Sequence, residues 1–153
     1  ASGGCISGRK EIIEILRQRS RPYLFSNTLA PAIAGGTLEV LHLLSETNEL
    51  HDKLYNNTQL FRKEMKDAGF RIVDSTHPIV PVLFGHLPND AKLSQDFANE
   101  LLKEGIYVIG FYYPVVPKGK SRIRVQISAA HSEEQIRFAI EKFTKVGKML
   151  GAI

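Results

Sequence analysis

The chain has 153 residues, of which 43% are hydrophobic and 24% are charged. This composition is typical of a globular domain and excludes a disordered or fibrous chain. Its apolar runs, such as residues 79–84, are far shorter than the roughly 20 residues of a membrane-spanning helix, so we expect no membrane partner. The net charge of +4 suits an anionic ligand and does not require a nucleic acid.

Cysteine and histidine contents exclude two further classes of site. The single cysteine, Cys5, cannot form an internal disulfide framework or a cysteine metal cluster, and it favours a reducing compartment. The five histidines do not have the spacing of metal ligands, so we expect no metal. The chain begins with alanine and shows no signal peptide, from which we expect processing or truncation at its start.

The first quarter of the chain predicts two helices. Apolar residues at helical spacing indicate a helix over about residues 9–19, which Arg21 and Pro22 interrupt. Residues 23–28 are therefore expected to be extended or turn-like. Pro31 suits the first turn of a second helix, which would run to about residue 46.

A long amphipathic third helix follows. Asn48 is a suitable N-cap residue, and Gly69 is a suitable stop. The β-branched run 79–84 then predicts a strand.

The second half of the chain predicts alternating elements. Asn89 and Asp90 can cap a fourth helix, which Gly105 ends before a predicted strand over residues 106–109. Residues 122–128 alternate strictly between polar and apolar side chains and form the clearest strand signal. Beyond that strand, a capping box of Ser132 and Gln135 starts an amphipathic closing helix that reaches Leu150.

This order of elements predicts an α+β fold, with a small, mostly antiparallel sheet and helices on one face. If the apolar residues of strand 122–128 face the helices, Arg122, Arg124, Gln126 and Ser128 face the other way. The two arginines could clamp a carboxylate. A solvated face is the alternative and explains the same alternation.

Two polar residues, Ser26 and Asn27, precede the helix that contains Pro31. They could bind a phosphate together with free backbone N–H groups. They could equally be helix caps, since serine and asparagine are preferred cap residues.

Three long motifs occur in order: RQRSRPYLFSN at 17–27, GFYYPVVPKG at 110–119 and RIRVQISAAH at 122–131. Together they closely resemble the C-terminal part of the α-oxoamine synthases. That family consists of pyridoxal-phosphate enzymes with the aspartate-aminotransferase fold (fold type I). The particular residues of these motifs resemble most closely the branch of the family that joins glycine to acetyl-CoA.

The resemblance implies roles for three residues. Ser26 and Asn27 match positions that reach the phosphate of pyridoxal 5'-phosphate from the neighbouring subunit. Arg124 matches the arginine that holds the substrate carboxylate, and Arg122 is left as structural.

The implied reaction converts glycine and acetyl-CoA to 2-amino-3-oxobutyrate and CoA, or runs in reverse in threonine degradation. The implied assembly is a homodimer with a shared active site, and threonine dehydrogenase is an expected partner. The expected compartment is the cytoplasm or the mitochondrial matrix.

The resemblance also implies that part of the enzyme precedes this chain. The family's Schiff-base lysine is expected a few residues before Ala1, and Lys10 does not match it. Residues 1–48 would end the large cofactor-binding domain, and residues 49–153 would form the small C-terminal domain with its long linking helix. The chain alone is therefore predicted to be inactive.

Three alternatives remain open at this point. One is another α-oxoamine synthase, such as 8-amino-7-oxononanoate synthase. The second is a non-catalytic dimerisation or regulatory module. The third is nucleic-acid binding through the basic and aromatic residues 17–23, although one such cluster is a weak signal.

Overall fold

The computed structural model describes residues 3–153. The chain divides into two compact units, residues 1–48 and residues 49–153. The first unit contains three helices, α1 (Lys10–Arg19), α2 (Arg21–Phe25) and α3 (Pro31–Glu46). Helix α1 lies where the apolar periodicity predicts it, and α3 begins at Pro31 as predicted.

The extended segment expected over residues 23–28 is only partly present. Residues up to Phe25 are helical, and only Ser26 to Thr28 leave the helical conformation. Ser20 is extended and Pro22 lies in the first turn of α2, where its missing N–H costs no hydrogen bond. The proline therefore ends one helix and starts the next.

The second unit has three helices and three strands. Its elements are α4 (Glu49–Asp67), β1 (Ile79–Leu83), α5 (Asp90–Lys103), β2 (Gly110–Phe111), β3 (Arg122–Gln126) and α6 (Glu133–Met149). The strands form one antiparallel sheet in the order β1-β3-β2. The predicted α+β fold is confirmed.

The core of this unit lies between the sheet and the helices α4, α5 and α6. Val80, Val82 and Ile123 of the sheet are 0% exposed. The rings of Phe61 and Phe143 meet edge to face with their centroids 6.2 Å apart, a favoured geometry for an aromatic pair.

The capping box at the start of α6 is confirmed. The Ser132 N–H donates to Gln135 Oε1 at 2.9 Å, and the Gln135 N–H donates to Ser132 Oγ at 3.3 Å. Two N–H groups at the helix start therefore have partners.

The strand predicted over residues 106–109 is wrong. These residues have no ladder partner, and β2 pairs with β3 only at Gly110 and Phe111. Ile106 and Val108 still pack against the core while Tyr107 is exposed. The side-chain alternation is therefore present without the hydrogen bonds that define a strand.

The capping role predicted for Asn89 is also wrong. Asn89 occupies the N-cap position of α5 with φ of 54°, and its side chain makes no capping hydrogen bond. Instead, the neighbouring Asp90 carboxylate accepts the backbone N–H of Ser121 at 3.1 Å.

Arg62 of α4 braces the segment that leads into β1. Its guanidinium donates to the carbonyl oxygens of Val73 at 2.6 Å, His77 at 2.7 Å and Ile79 at 3.2 Å. The residue is only 5% exposed, so these bonds offset much of the cost of burying the charge, although the buried Nε of Arg62 has no hydrogen-bond partner among the described residues. Burial lowers the pKa of Arg62.

Within residues 3–153, no helix has both the length and the apolar character needed to cross a membrane.

Candidate functional site

The outward face of the sheet carries the polar side chains of β3. Ile123 is 0% exposed and packs into the core, whereas Arg124 and Gln126 are exposed. On the neighbouring strand β1, Pro81 stands opposite Arg124 and Ile79 opposite Gln126. The predicted alternation of β3 therefore holds, and it directs Arg124 away from the helices.

Arg124 has a free hydrogen-bonding edge. Its guanidinium carbon lies 4.6 Å from the centroid of the Phe111 ring. Among the residues that the structure describes, none forms an ion pair or a side-chain hydrogen bond with Arg124. The five N–H donors of the guanidinium are thus available for a planar acceptor such as a carboxylate.

Arg122 differs from Arg124 in its contacts. It is half-buried, and its Nε donates to the carbonyl oxygen of Lys120 at 3.0 Å. That bond ties the start of β3 to the preceding loop, which agrees with a structural role for Arg122.

Phe111 is held in place through its neighbour Gly110. A Cβ atom at Gly110 would lie 2.6 Å from the carbonyl oxygen of Ser94, so only glycine permits this approach of β2 to α5. Ser94 is 0% exposed and belongs to the surface of α5 that β2 packs against. Phe111 is not predictable as a neighbour of Arg124 from sequence alone, because their proximity depends on the register of β2 against β3.

A groove of about 700 Å³ lies beside Arg124. Arg124 and Gln126 contribute to its lining on β3, and the irregular segment 106–109 contributes further residues. The buried side chains of Ile136 and Phe143 also line it. The groove thus occupies the region where the expected strand over 106–109 does not pair with β3.

The end of β3 is anchored by α4. The Asn57 side-chain amide donates to the carbonyl oxygens of Ser128 at 3.2 Å and His131 at 3.0 Å. The Ser128 N–H donates to Nδ1 of His131 at 3.2 Å. Asn57 is 8% exposed, and these bonds hold the turn between β3 and α6 in one conformation.

In the first unit, Ser26 and Asn27 lie in the loop between α2 and α3. Both residues are exposed, and neither side chain makes a hydrogen bond within the described part of the chain. The interpretation that they cap α3 is wrong, because Ala30 occupies its N-cap position and no side chain caps the helix there. A hydroxyl and an amide are thus free to donate to a ligand.

Other reactive side chains are dispersed. Cys5 is free and exposed. Over residues 3–153, no three side chains among histidine, cysteine, aspartate and glutamate come together as metal ligands. His77 and His131 instead accept backbone N–H groups through Nδ1.

Comparison with known sequences shows which family the chain matches. The pattern of the family described as "Aminotransferase class I and II" matches residues 1–143. The chain is 56% identical over 153 residues to 2-amino-3-ketobutyrate coenzyme A ligase of Escherichia coli strain K12, which corresponds to 100% of the chain and 37% of that enzyme. The mitochondrial enzyme of the same name in Homo sapiens is 51% identical over 153 residues, or 36% of its length.

A relative with a different name is nearly as similar. The 8-amino-7-oxononanoate synthase of Thermosipho melanesiensis is 49% identical over 151 residues, which is 99% of the chain and 38% of that enzyme. The chain therefore spans little more than a third of the length of these curated relatives.

Solved structures show the same arrangement of elements. A serine palmitoyltransferase from S. paucimobilis with bound PLP and myriocin matches 97% of the chain and 36% of its own chain, with a TM-score of 0.82 and 26% identity. An 8-amino-7-oxononanoate synthase from Francisella tularensis matches 95% of the chain and 41% of its own, with a TM-score of 0.73 and 25% identity.

Proposed function

The chain belongs to the aminotransferase class I and II family, and from this premise we propose a function for the parent protein, meaning the protein of which this chain forms part. The parent protein condenses glycine with acetyl-CoA to give 2-amino-3-oxobutyrate and CoA, and it also catalyses the reverse cleavage. The observation that carries this proposal is the unpaired guanidinium of Arg124 on the outward face of the sheet. The identity of 56% to the Escherichia coli enzyme supports this reaction.

Arg124 binds the carboxylate of the amino-acid substrate. Guanidinium and carboxylate match in geometry, because two parallel N–H donors meet two oxygens. The side chain has no ion-pair partner within residues 3–153, so binding a carboxylate breaks no existing ion pair with those residues. Orientation of the carboxylate also orients the Cα of glycine, where the new bond forms.

Ser26 and Asn27 bind the phosphate of pyridoxal 5'-phosphate. Their donor set fits this group, since a hydroxyl and an amide both donate to phosphate oxygens and neither is engaged elsewhere in the described chain. When bound, the cofactor supplies an electron sink for the carbanion formed at the substrate. The PLP present in the related serine palmitoyltransferase structure supports the same cofactor here.

The parent protein is a homodimer in which Ser26 and Asn27 serve the partner's active site. In this proposal residues 1–48 end the large domain and residues 49–153 form the small domain. The apolar side chains exposed on α1 and α3 support an extensive interface for the first unit, since no residue of these helices is buried. Ile15 and Leu38, for example, are 62% and 68% exposed.

Replacement of Arg124 in the parent protein tests the function. We expect Arg124→Ala to raise the KM for glycine by on the order of 100-fold or more, because a charge-assisted pair is lost. The KM for acetyl-CoA should change little. Arg122→Lys is the matched control and should leave the glycine KM within a factor of about two. An unchanged glycine KM in Arg124→Ala would refute the assignment.

The acyl donor is the second point to test. The 49% identity to an 8-amino-7-oxononanoate synthase favours a longer acyl chain as the alternative. Assays of the parent protein with acetyl-, succinyl- and pimeloyl-CoA distinguish these donors, and we expect the highest kcat/KM with acetyl-CoA. A preference for pimeloyl-CoA would refute the proposed acyl donor and support the 8-amino-7-oxononanoate synthase activity instead.

A further inference from the structure

Arg124 makes a cation–π contact with an aromatic ring of the adjacent strand. Phe111 is paired directly with Arg122 across β2 and β3, and Arg124 is its diagonal neighbour two residues along the strand. Diagonal neighbours on one face of a sheet are within reach of long and aromatic side chains. The 4.6 Å between the Arg124 guanidinium carbon and the Phe111 centroid is well inside the range of a cation–π contact.

The backbone that carries the Phe111 ring has little freedom to move. Gly110 packs so closely on α5 that an added Cβ would lie 2.6 Å from the carbonyl oxygen of Ser94. The residue before the ring is therefore fixed against a helix, while β2 pairs with β3 on its other side. The backbone position of Phe111 is thus set by contacts that do not involve the Arg124 side chain.

The cation–π contact leaves the N–H donors of Arg124 without a hydrogen-bond partner among the described residues. These donors lie in the plane of the guanidinium and point outward from its edge. An arginine side chain loses rotamer entropy when it becomes ordered. If the Phe111 ring already restricts the Arg124 guanidinium, less rotamer entropy is lost when a carboxylate binds.

We propose that Phe111 is a positioning residue that holds the Arg124 guanidinium in the orientation required for the substrate carboxylate. The proposal rests on the function assigned to Arg124 above. Phe111 acts on amino-acid affinity through Arg124 and takes no part in the acyl-transfer chemistry.

Steady-state kinetics of the parent protein test the proposal. We expect Phe111→Leu to raise the KM for glycine roughly three- to tenfold, the range that loss of a cation–π contact allows. The kcat at saturating glycine and the KM for acetyl-CoA should stay within about twofold. Phe111→Tyr and Phe111→Trp keep a ring face and should retain the original glycine KM.

Two controls separate positioning from general structural damage. Tyr55→Leu removes another exposed aromatic side chain, on α4, and should leave the glycine KM unchanged. Phe111→Met keeps most of the apolar volume without a ring, so it carries the test if Phe111→Leu does not fold. A glycine KM that stays normal in Phe111→Met would overturn the proposal.

A double-mutant cycle gives the decisive readout. In an Arg124→Ala background, Phe111→Leu should raise the glycine KM no further, because the group that Phe111 positions is absent. An additional rise in that background would overturn positioning through Arg124. If Arg124→Ala itself leaves the glycine KM unchanged, the proposed function fails. If Arg124→Ala raises it and Phe111→Leu does not, the positioning role alone fails.

Discussion

The carboxylate of Asp90 accepts a hydrogen bond from the backbone N–H of Ser121 at 3.1 Å, which joins the first turn of α5 to the residue before β3. Interactions with Ser121, first its hydroxyl and then its N–H, lower the pKa of Asp90 because they favour the charged carboxylate. Ser121 is 2% exposed, so its N–H has no access to solvent.

This relationship predicts a pH-dependent contribution to stability. Because the pKa of Asp90 is lower in the folded protein, its contribution is complete above the unfolded value of about 3.9 and is lost as the pH falls through the folded value. Asp90→Asn should therefore lower the Tm at pH 7, and the difference from the original protein should shrink towards pH 2. Thermal unfolding across this pH range measures it. A difference that grows in acid would contradict the prediction.

Replacement of Arg62 should strongly destabilise the segment before β1. In Arg62→Met three carbonyl oxygens lose their donors, and we expect a loss of about 3 kcal/mol in the free energy of unfolding. Hydrogen exchange over residues 73–79 should accelerate. The adjacent exposed residue provides the control, since Lys63→Met should change neither quantity. Unchanged exchange in Arg62→Met would show that the bonds do not hold this segment.

A methyl group at Gly110 should displace β2 from α5. Gly110→Ala places a Cβ 2.6 Å from the Ser94 carbonyl, and relief of this overlap should cost about 1–3 kcal/mol in the free energy of unfolding. Gly8→Ala meets no atom within 4 Å and serves as the comparison. Chemical denaturation of both variants measures the difference. Equal stability of the two would show that β2 shifts without cost.

Cofactor affinity should depend on Ser26 and Asn27. We expect Ser26→Ala or Asn27→Ala in the parent protein to raise the Kd for pyridoxal phosphate by about 10- to 100-fold, since each removes one hydrogen bond to a charged phosphate. Absorbance titration of the apoprotein gives the Kd. Ser20→Ala removes a hydroxyl that makes no capping bond and should leave the affinity unchanged. A normal Kd in both site variants would exclude these residues from the phosphate site.

The chain alone should be inactive. Lys10, the lysine nearest to the glycine-rich start, lies on α1 and does not match the position of the family's Schiff-base lysine, so we do not assign it that role. Incubation of the 153-residue chain with pyridoxal phosphate, glycine and acetyl-CoA should release no CoA. Borohydride should trap no specific lysine adduct. Release of CoA above background would refute this prediction.

Local sequence signals predicted the elements whose causes are local. The alternation of residues 122–128 predicted both β3 and the outward direction of Arg124. Ser132 and Gln135 predicted the start of α6, because a capping box involves only residues three apart. Gly69 and Gly105 have φ of 102° and 85°, as expected of glycines that end helices.

Features that depend on distant contacts were not predictable in the same way. The apolar segment 106–109 has the composition of a strand, but pairing requires a partner at hydrogen-bonding distance, and composition does not supply one. The cation–π contact between Phe111 and Arg124 requires the register of two strands. The bonds from Arg62 join α4 to carbonyl oxygens 11 to 17 residues away, and no residue-type pattern indicates them.

The residue types of Ser26 and Asn27 do not by themselves decide between two roles. Their residue types fit a helix cap as well as a ligand site. In the structure Ala30 occupies the N-cap position of α3, so the interpretation of these residues as helix caps is wrong.

The buried apolar side chains of the described residues all lie beyond Glu49, from Phe61 to Ala152. A gene fragment that begins at the codon for Glu49 would therefore encode the whole of this core together with Arg124 and Phe111. At roughly 100 residues, such a polypeptide is within the size range of domains that fold independently. It offers a sample in which NMR could follow the Arg124 guanidinium directly during titration with simple carboxylates.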